Sequence, residues 1–256
     1  MTNKKTHGKL RFSVSHLVEH LFHPTNHGAR IMAILNPVFS KFSLTSGVPQ
    51  EIYSCPPSKS HAIIDITFFK DLVDSDSMIE IALTTKTTPE QLNSVDYFID
   101  DIELIGGVNS AELNKVIVGS GERLYIHVLT GPDITIRMTG IEESNPNVLK
   151  AGRLSALAAA GTSNVTVFEN NLPGTSYTNC SITIYNASVL DAANVEAWIT
   201  SQEMPSANDK VMRINIPTED TTIVENVMLA PGEKLVFKSS ENLTEYFVNG
   251  VVCGSV

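Results

Sequence analysis

The sequence predicts an all-β fold in which two tandem β-sandwich modules follow a short N-terminal helical arm. Three observations lead there. Blocks of residues recur in the same order in the two halves of the chain. Within each half, apolar and polar residues alternate at a period of two. A helical period appears once, within the first 27 residues.

Asp65-Ile-Thr-Phe-Phe69 matches Ser181-Ile-Thr-Ile-Tyr185 at an offset of 116. The same offset sets Ile79-Glu-Ile-Ala-Leu-Thr-Thr85 on Val195-Glu-Ala-Trp-Ile-Thr-Ser201 and pairs Pro89 with Pro205. With the offset five residues shorter, Gly121-Glu-Arg-Leu-Tyr-Ile126 matches Gly232-Glu-Lys-Leu-Val-Phe237. Ile136-Arg-Met-Thr-Gly-Ile141 then matches Tyr246-Phe-Val-Asn-Gly-Val251, and at the leading edge Ala29-Arg-Ile-Met-Ala-Ile34 resembles Gly152-Arg-Leu-Ser-Ala-Leu157. Blocks that keep one order along a chain mark a duplicated unit. The expected organisation is an arm over residues 1–27, a first module over 28–144 and a second over 150–256. The polar, proline-containing stretch Glu142–Asn147 is the linker.

Within the first module the alternation runs through Ile64/Ile66/Phe68, Ile79/Ile81/Leu83, Leu124/Ile126/Val128 and Ile134/Ile136/Met138. The second module repeats it in Cys180/Ile182/Ile184, Val195/Ala197/Ile199 and Leu235/Phe237. A period of two puts the apolar residues on one face of a sheet. Gly119-Ser-Gly-Glu122, Gly131-Pro-Asp133 and Ala230-Pro-Gly-Glu233 are turns between strands. Seven or eight short strands in about 110 residues suit a sandwich, with jelly-roll order as one arrangement.

The arm reads differently. Val14, Leu17, Val18, Leu21 and Phe22 fall on one face of a helix, which Pro24 and Gly28 then stop. Roughly ten residues of amphipathic helix are marginal in isolation. The stripe must pack on something, and its terminal position favours a partner. Lys4, Lys5, Lys9 and Arg11 precede or flank it. These nine residues form the expected assembly interface.

Charge separates the arm from the rest. Residues 1–30 carry five basic residues against the single Glu19, while the remainder has 13 basic and 27 acidic, a net −14. An acidic body repels phosphate backbones, so the β modules are not expected to bind nucleic acid. The arm's charge suits an acidic neighbour better than nucleic acid, though both fit it. No apolar run is long enough to cross a bilayer. The N-terminus lacks the apolar core of a signal peptide, so synthesis in the cytoplasm is expected. Cys55, Cys180 and Cys253 are odd in number and follow no zinc spacing, so free thiols are expected.

Candidate chemistry is sparse. His16-Leu-Val-Glu19-His20 has the H-x-x-E-H form, in which two histidines one helical turn apart bind zinc and the glutamate activates water. On a short terminal helix it lacks a pocket and outer-shell partners, which makes a zinc hydrolase the remote alternative. Asp74, Asp76 and Glu80 are acidic but lack the glycine and terminal glutamate of a calcium loop. His61 and His127 stand without nucleophile partners at a known spacing. Residues shared by the two modules are strand and turn positions, with no duplicated polar pair. The sequence therefore leads to the expectation that the chain is no enzyme and holds no metal or cofactor.

The order of segments resembles a repeat of tailed-bacteriophage virion proteins. The start Gly152-Arg-Leu-Ser155, the strand Thr183-Ile-Tyr185, the stretch Leu229–Leu235 containing Gly-Glu-Lys-Leu, and Phe247-Val-Asn-Gly-Val251 carry the likeness. Gly121-Glu-Arg-Leu124 and Met138-Thr-Gly-Ile-Glu-Glu143 end the first module similarly. The resemblance implies β-sandwich modules on heads, necks, tails or baseplates, in homo-oligomers that contact other virion proteins. Its expectation is a virion structural component docked through its arm. The alternative is a receptor- or glycan-binding fibre module.

Overall fold

The computed structural model of the 256-residue chain describes residues 34–70, 75–104, 110–157, 161–172 and 176–254. The arm, with Lys4, Lys5, Lys9, Arg11, Val14, Leu17, Val18, Leu21 and Phe22, lies outside the described residues. So do His16, Glu19 and His20. No helix among the described residues is long and apolar enough to cross a membrane.

Sixteen strands make up the described chain. The first eight are β1 (Ile34–Leu44), β2 (Gln50–Ser54), β3 (His61–Lys70), β4 (Ser77–Thr84), β5 (Tyr97–Leu104), β6 (Ser110–Gly119), β7 (Arg123–Thr130) and β8 (Ile134–Ser144). The second eight are β9 (Val148–Leu157), β10 (Val165–Glu169), β11 (Tyr177–Asn186), β12 (Ala193–Thr200), β13 (Lys210–Ile216), β14 (Asp220–Leu229), β15 (Lys234–Ser239) and β16 (Thr244–Cys253). Strands β1–β8 form sheets in the orders β1-β8-β3-β6 and β2-β7-β4-β5. Strands β9–β16 form sheets in the orders β9-β16-β11-β14 and β10-β15-β12-β13. Both halves therefore have jelly-roll order, and every ladder is antiparallel. The all-β class read from the alternation is the observed one.

The alternation also locates the cores. Ile64, Ile66, Phe68, Ile79, Ile81, Leu83, Leu124, Ile126 and Val128 are fully buried between the first two sheets. Cys180, Ile182, Ile184, Val195, Ala197, Leu235 and Phe237 fill the second sandwich. A bulge against β13 at Ala197/Trp198 changes the parity of β12. It leaves Trp198 buried and Ile199 only partly so. Lys210 lies over the indole at 5.2 Å. The three cysteines are unpaired.

Local geometry repeats closely. In β3–β6 the register shifts between Ile64 and Ile66, with Lys115 at φ 59°. In β11–β14 it shifts between Cys180 and Ile182, with Asn226 at φ 59°. After β6, Glu122 turns back so that its carboxylate accepts the Gly119 N–H at 2.8 Å; after β14, Glu233 does the same for Ala230 at 2.7 Å. Gly121 (φ 75°) and Gly232 (φ 78°) supply the left-handed residue of these turns. The shared Gly-Glu-x-Leu motif is thus a turn closed by its own carboxylate.

The leading-edge match does not follow the sheet. A Cβ on Gly140 or Gly250 would clash with the neighbouring strand, at Ile63 O and Asn179 O respectively, which marks the two glycines as equivalent. Gly250 faces Gly152 and Gly140 faces Val38. Val38, and not Ala29, therefore occupies the place of Gly152. The Gly-Arg pair of β9 serves a contact that β1 does not make.

Candidate functional site at the junction of the two sandwiches

A buried polar cluster lies where the two sandwiches meet. Asp96 ends the 3₁₀ turn Ser94–Asp96 and is only 1% exposed. Its Oδ2 accepts from Lys86 Nζ at 2.6 Å and from the Asn93 N–H at 3.0 Å. Its Oδ1 accepts from Arg153 Nη1 on β9 at 2.9 Å. Burial pushes the Asp96 carboxyl up, but the bonds from Lys86, Asn93, Thr84 and Arg153 outweigh it and hold it below the ordinary value. An ionised carboxylate with two cations is the stable state here.

Glu122 makes the second link. Besides closing its own turn, its carboxylate accepts the Arg153 backbone N–H at 3.0 Å to Oε1 and 3.2 Å to Oε2. Burial raises its pKa, and these backbone bonds oppose the rise. The approach needs two glycines. A Cβ on Gly119 would lie 2.1 Å from Ala151 O, and one on Gly152 (φ 91°) would lie 1.8 Å from Glu122 Oε2.

Asn249 on β16 makes the third. Its Nδ2 donates to Ile117 O at 2.7 Å and its Oδ1 accepts from Ile117 N at 2.9 Å. One side-chain amide thus satisfies both backbone groups of a residue on β6, the edge strand of its sheet. Alongside, Phe98 and Phe247 pack with ring centroids 5.1 Å apart, and Phe247 joins the first sandwich's core although it belongs to β16.

Between these contacts runs a shallow open groove lined by Tyr97, Phe98, Tyr185, Glu245 and Phe247 among others. Glu245 is half-buried, burial raises its pKa, and it has no hydrogen-bond partner among the described residues. Chemically the groove offers aromatic faces beside a carboxyl poised to accept a hydroxyl.

The histidines lie elsewhere. His127 Nδ1 is 3.1 Å from Glu80 Oε2 across the β4–β7 ladder. Lys238 stands at the same place opposite Glu196. His61 is buried, with Nε2 3.7 Å from Glu143 and Nδ1 3.1 Å from Ser60 Oγ. Burial lowers its pKa and Glu143 opposes that. Ser60 Oγ is also engaged with the backbone of Glu143 and Asn145. Among the described residues no group of three His, Cys, Asp or Glu side chains is placed to hold a metal.

None of the junction residues was predicted from the sequence to belong to a site. The one available signal was polar residues at apolar-strand or turn positions, Asn249 within Phe247–Val251 and Glu122 within its turn motif.

No protein-family model matches the chain, and no curated protein matches it in sequence. Solved structures with some likeness include PNGase F, a glycosylasparaginase from Flavobacterium meningosepticum. It is 11% identical over 88% of this chain and 96% of its own, with a TM-score of 0.41. A chain of Sulfolobus Turreted Icosahedral Virus is 11% identical over 93% of this chain and 100% of its own, with a TM-score of 0.27. The tandem CBM22 domains of Paenibacillus barcinonensis Xyn10C are 7% identical over 87% and 93%, with a TM-score of 0.25. No activity is carried over at such values. The expectation that the chain is no enzyme does not stand, since the solved structures with some likeness to it include a glycosylasparaginase. That expectation rested on missing linear motifs. The junction shows its weakness, since residues 86, 96, 122, 153 and 249 meet there with no recognisable spacing in sequence.

Proposed function

We propose that the chain is a structural component of a tailed-phage virion. In this reading it is an arm followed by two modules made by duplication, over 28–144 and 150–256. The arm docks on neighbouring head, neck or tail subunits through Val14, Leu17, Val18, Leu21 and Phe22, with Lys4, Lys5, Lys9 and Arg11 meeting acidic surface. The modules pack or project outward. The single observation that supports this best is the buried polar clasp of Asp96, Glu122 and Asn249, which ties two jelly rolls into one stiff unit suited to load-bearing assembly. The segment order it shares with virion repeats points the same way. Deleting residues 1–27 tests it: the protein should stay folded and soluble yet fail to join particles. Normal incorporation of the truncated chain would overturn the docking role.

The groove beside Glu245 favours a second reading, a glycan- or receptor-binding module. Stacking on Tyr97 or Tyr185 with a hydroxyl bonded to Glu245 is the arrangement it offers. A glycan array probed with the full chain, against Glu245→Gln, decides it. Binding lost in the variant supports this reading, and no binding by either protein removes it.

A further inference from the structure

The junction is built from two unlike surfaces, and each has an unused copy on the other sandwich. The first sandwich contributes the side that includes Phe98 and Ile117. The second contributes the outer face of its β9-β16-β11-β14 sheet, with Arg153, Asn249 and Tyr185. Fixed geometric markers identify the copies. The capping turns at Asp96 and Asp209 are alike, each carboxylate accepting the N–H three residues back, at 3.0 and 2.8 Å. Two residues beyond these aspartates stand Phe98 and Val211. The matching bulges place Ile117 opposite Ile63 and Met228 opposite Asn179, so Met228 is the counterpart of Ile117. On the receiving face, Phe39 faces Thr139 as Arg153 faces Asn249, each one residue from the equivalent Gly140 and Gly250. Phe69 likewise holds the place of Tyr185.

The substitutions run one way. Where the first sandwich buries Phe98 to 7% exposure, the second shows Val211 at 56%, with Met228 at 52%. Where the second sandwich uses Arg153, the first shows Phe39 at 71%, with Phe69 and Ile141 also exposed on the same sheet face. The giving surface thus keeps carboxylates, Asp209 and Glu233, in the places of Asp96 and Glu122 and adds exposed Val211 and Met228, while the receiving face sets Phe39 in the place of Arg153 with exposed Lys41 and Arg137 beside it. Thr139, in the place of Asn249, still offers a hydroxyl to an edge strand.

We infer that a second copy of this chain docks head to tail, its Val211/Met228 surface on the Phe39/Phe69/Ile141 face, reproducing between chains the contact that joins the two sandwiches within one. The contact is heterologous: each chain has one giving and one receiving surface, so copies close into a ring or extend as a filament. This inference rests on the tandem-module reading and is independent of the arm.

Sedimentation of the full chain at rising concentration tests it, with Phe39→Asp and the double variant Val211→Asp/Met228→Asp alongside. The wild type should associate with concentration. Each variant, with unchanged circular dichroism and melting temperature, should associate at least about tenfold more weakly. Mixing the two variants is decisive. Each retains the surface the other has lost, so the mixture should give heterodimers and nothing larger. A wild type that stays monomeric, association unmoved by both variants, or a mixture that fails to pair would overturn the inference. Removing residues 1–27 should leave this association intact while abolishing attachment to particles, which separates its failure from that of the docking role.

Discussion

Asn249 shows how much a single side chain carries at the junction. Its amide matches the donor and acceptor of Ile117 together, and truncation would leave both groups without a partner in a half-buried place. Asn249→Ala should cost about 2–3 kcal/mol of unfolding free energy in denaturant titration. Asp96 has a pH signature. Its folded-state pKa lies below its ordinary value, so its contribution is present at neutral pH and is lost as pH falls through the carboxylate range toward the folded value. Asp96→Asn should destabilise by on the order of 2–3 kcal/mol at pH 7. The gap from wild type should shrink below about pH 4. Glu122 acts in the opposite sense. Its raised pKa means stability declines as pH rises past the ordinary carboxylate value, until its backbone donors alone offset the buried charge.

At the scale of elements, the alternation of β3, β4, β7, β8 and β11 made strands and core faces legible in the sequence, because a sheet with one buried face enforces a period of two. The turn motifs were legible for a similar reason, since Gly121 and Gly232 need a left-handed backbone. The bulges were not. Lys115 and Asn226 share a φ of 59° while sharing no chemistry. Asparagine tolerates that conformation far better than lysine. Lys115→Asn should therefore raise stability by a few tenths of a kcal/mol to about 1 kcal/mol. Asn226→Lys should lower it similarly, both read from denaturant midpoints. The leading-edge match fails at the first strand because Gly152 and Arg153 are kept by the junction within the chain, in which Val38 and Phe39 take no part.

For the whole molecule, the second sandwich lends side chains to the first core. Phe247 reaches from β16 into the first core, and Ala156 and Ile223 pack against it. The described chain should therefore unfold in one cooperative step. Phe247→Ala removes about 3 kcal/mol of packing. It should split a single calorimetric transition into two; a single, merely lowered transition would mean that the clasp of Asp96, Glu122 and Asn249 suffices alone. This level of organisation was the least legible in sequence. Lys86, Asp96, Glu122, Arg153 and Asn249 are ordinary polar residues at irregular spacing, and only folding brings them together.

The amide that grips Ile117 has one more consequence. Strand β6 ends its sheet, and the unoccupied rim of a sheet invites a strand from any passing chain. Asn249 occupies that rim from within the same polypeptide. The expected linker Glu142–Asn147 is shorter in the structure, because Glu142–Ser144 extend β8. A protease cut in the Asn145–Asn147 turn followed by loss of the C-terminal half would uncover that rim, turning the remaining fragment into a seed for aggregation. The linker is thus a point where damage converts directly into insolubility, and its proline is a natural obstacle to the first nick.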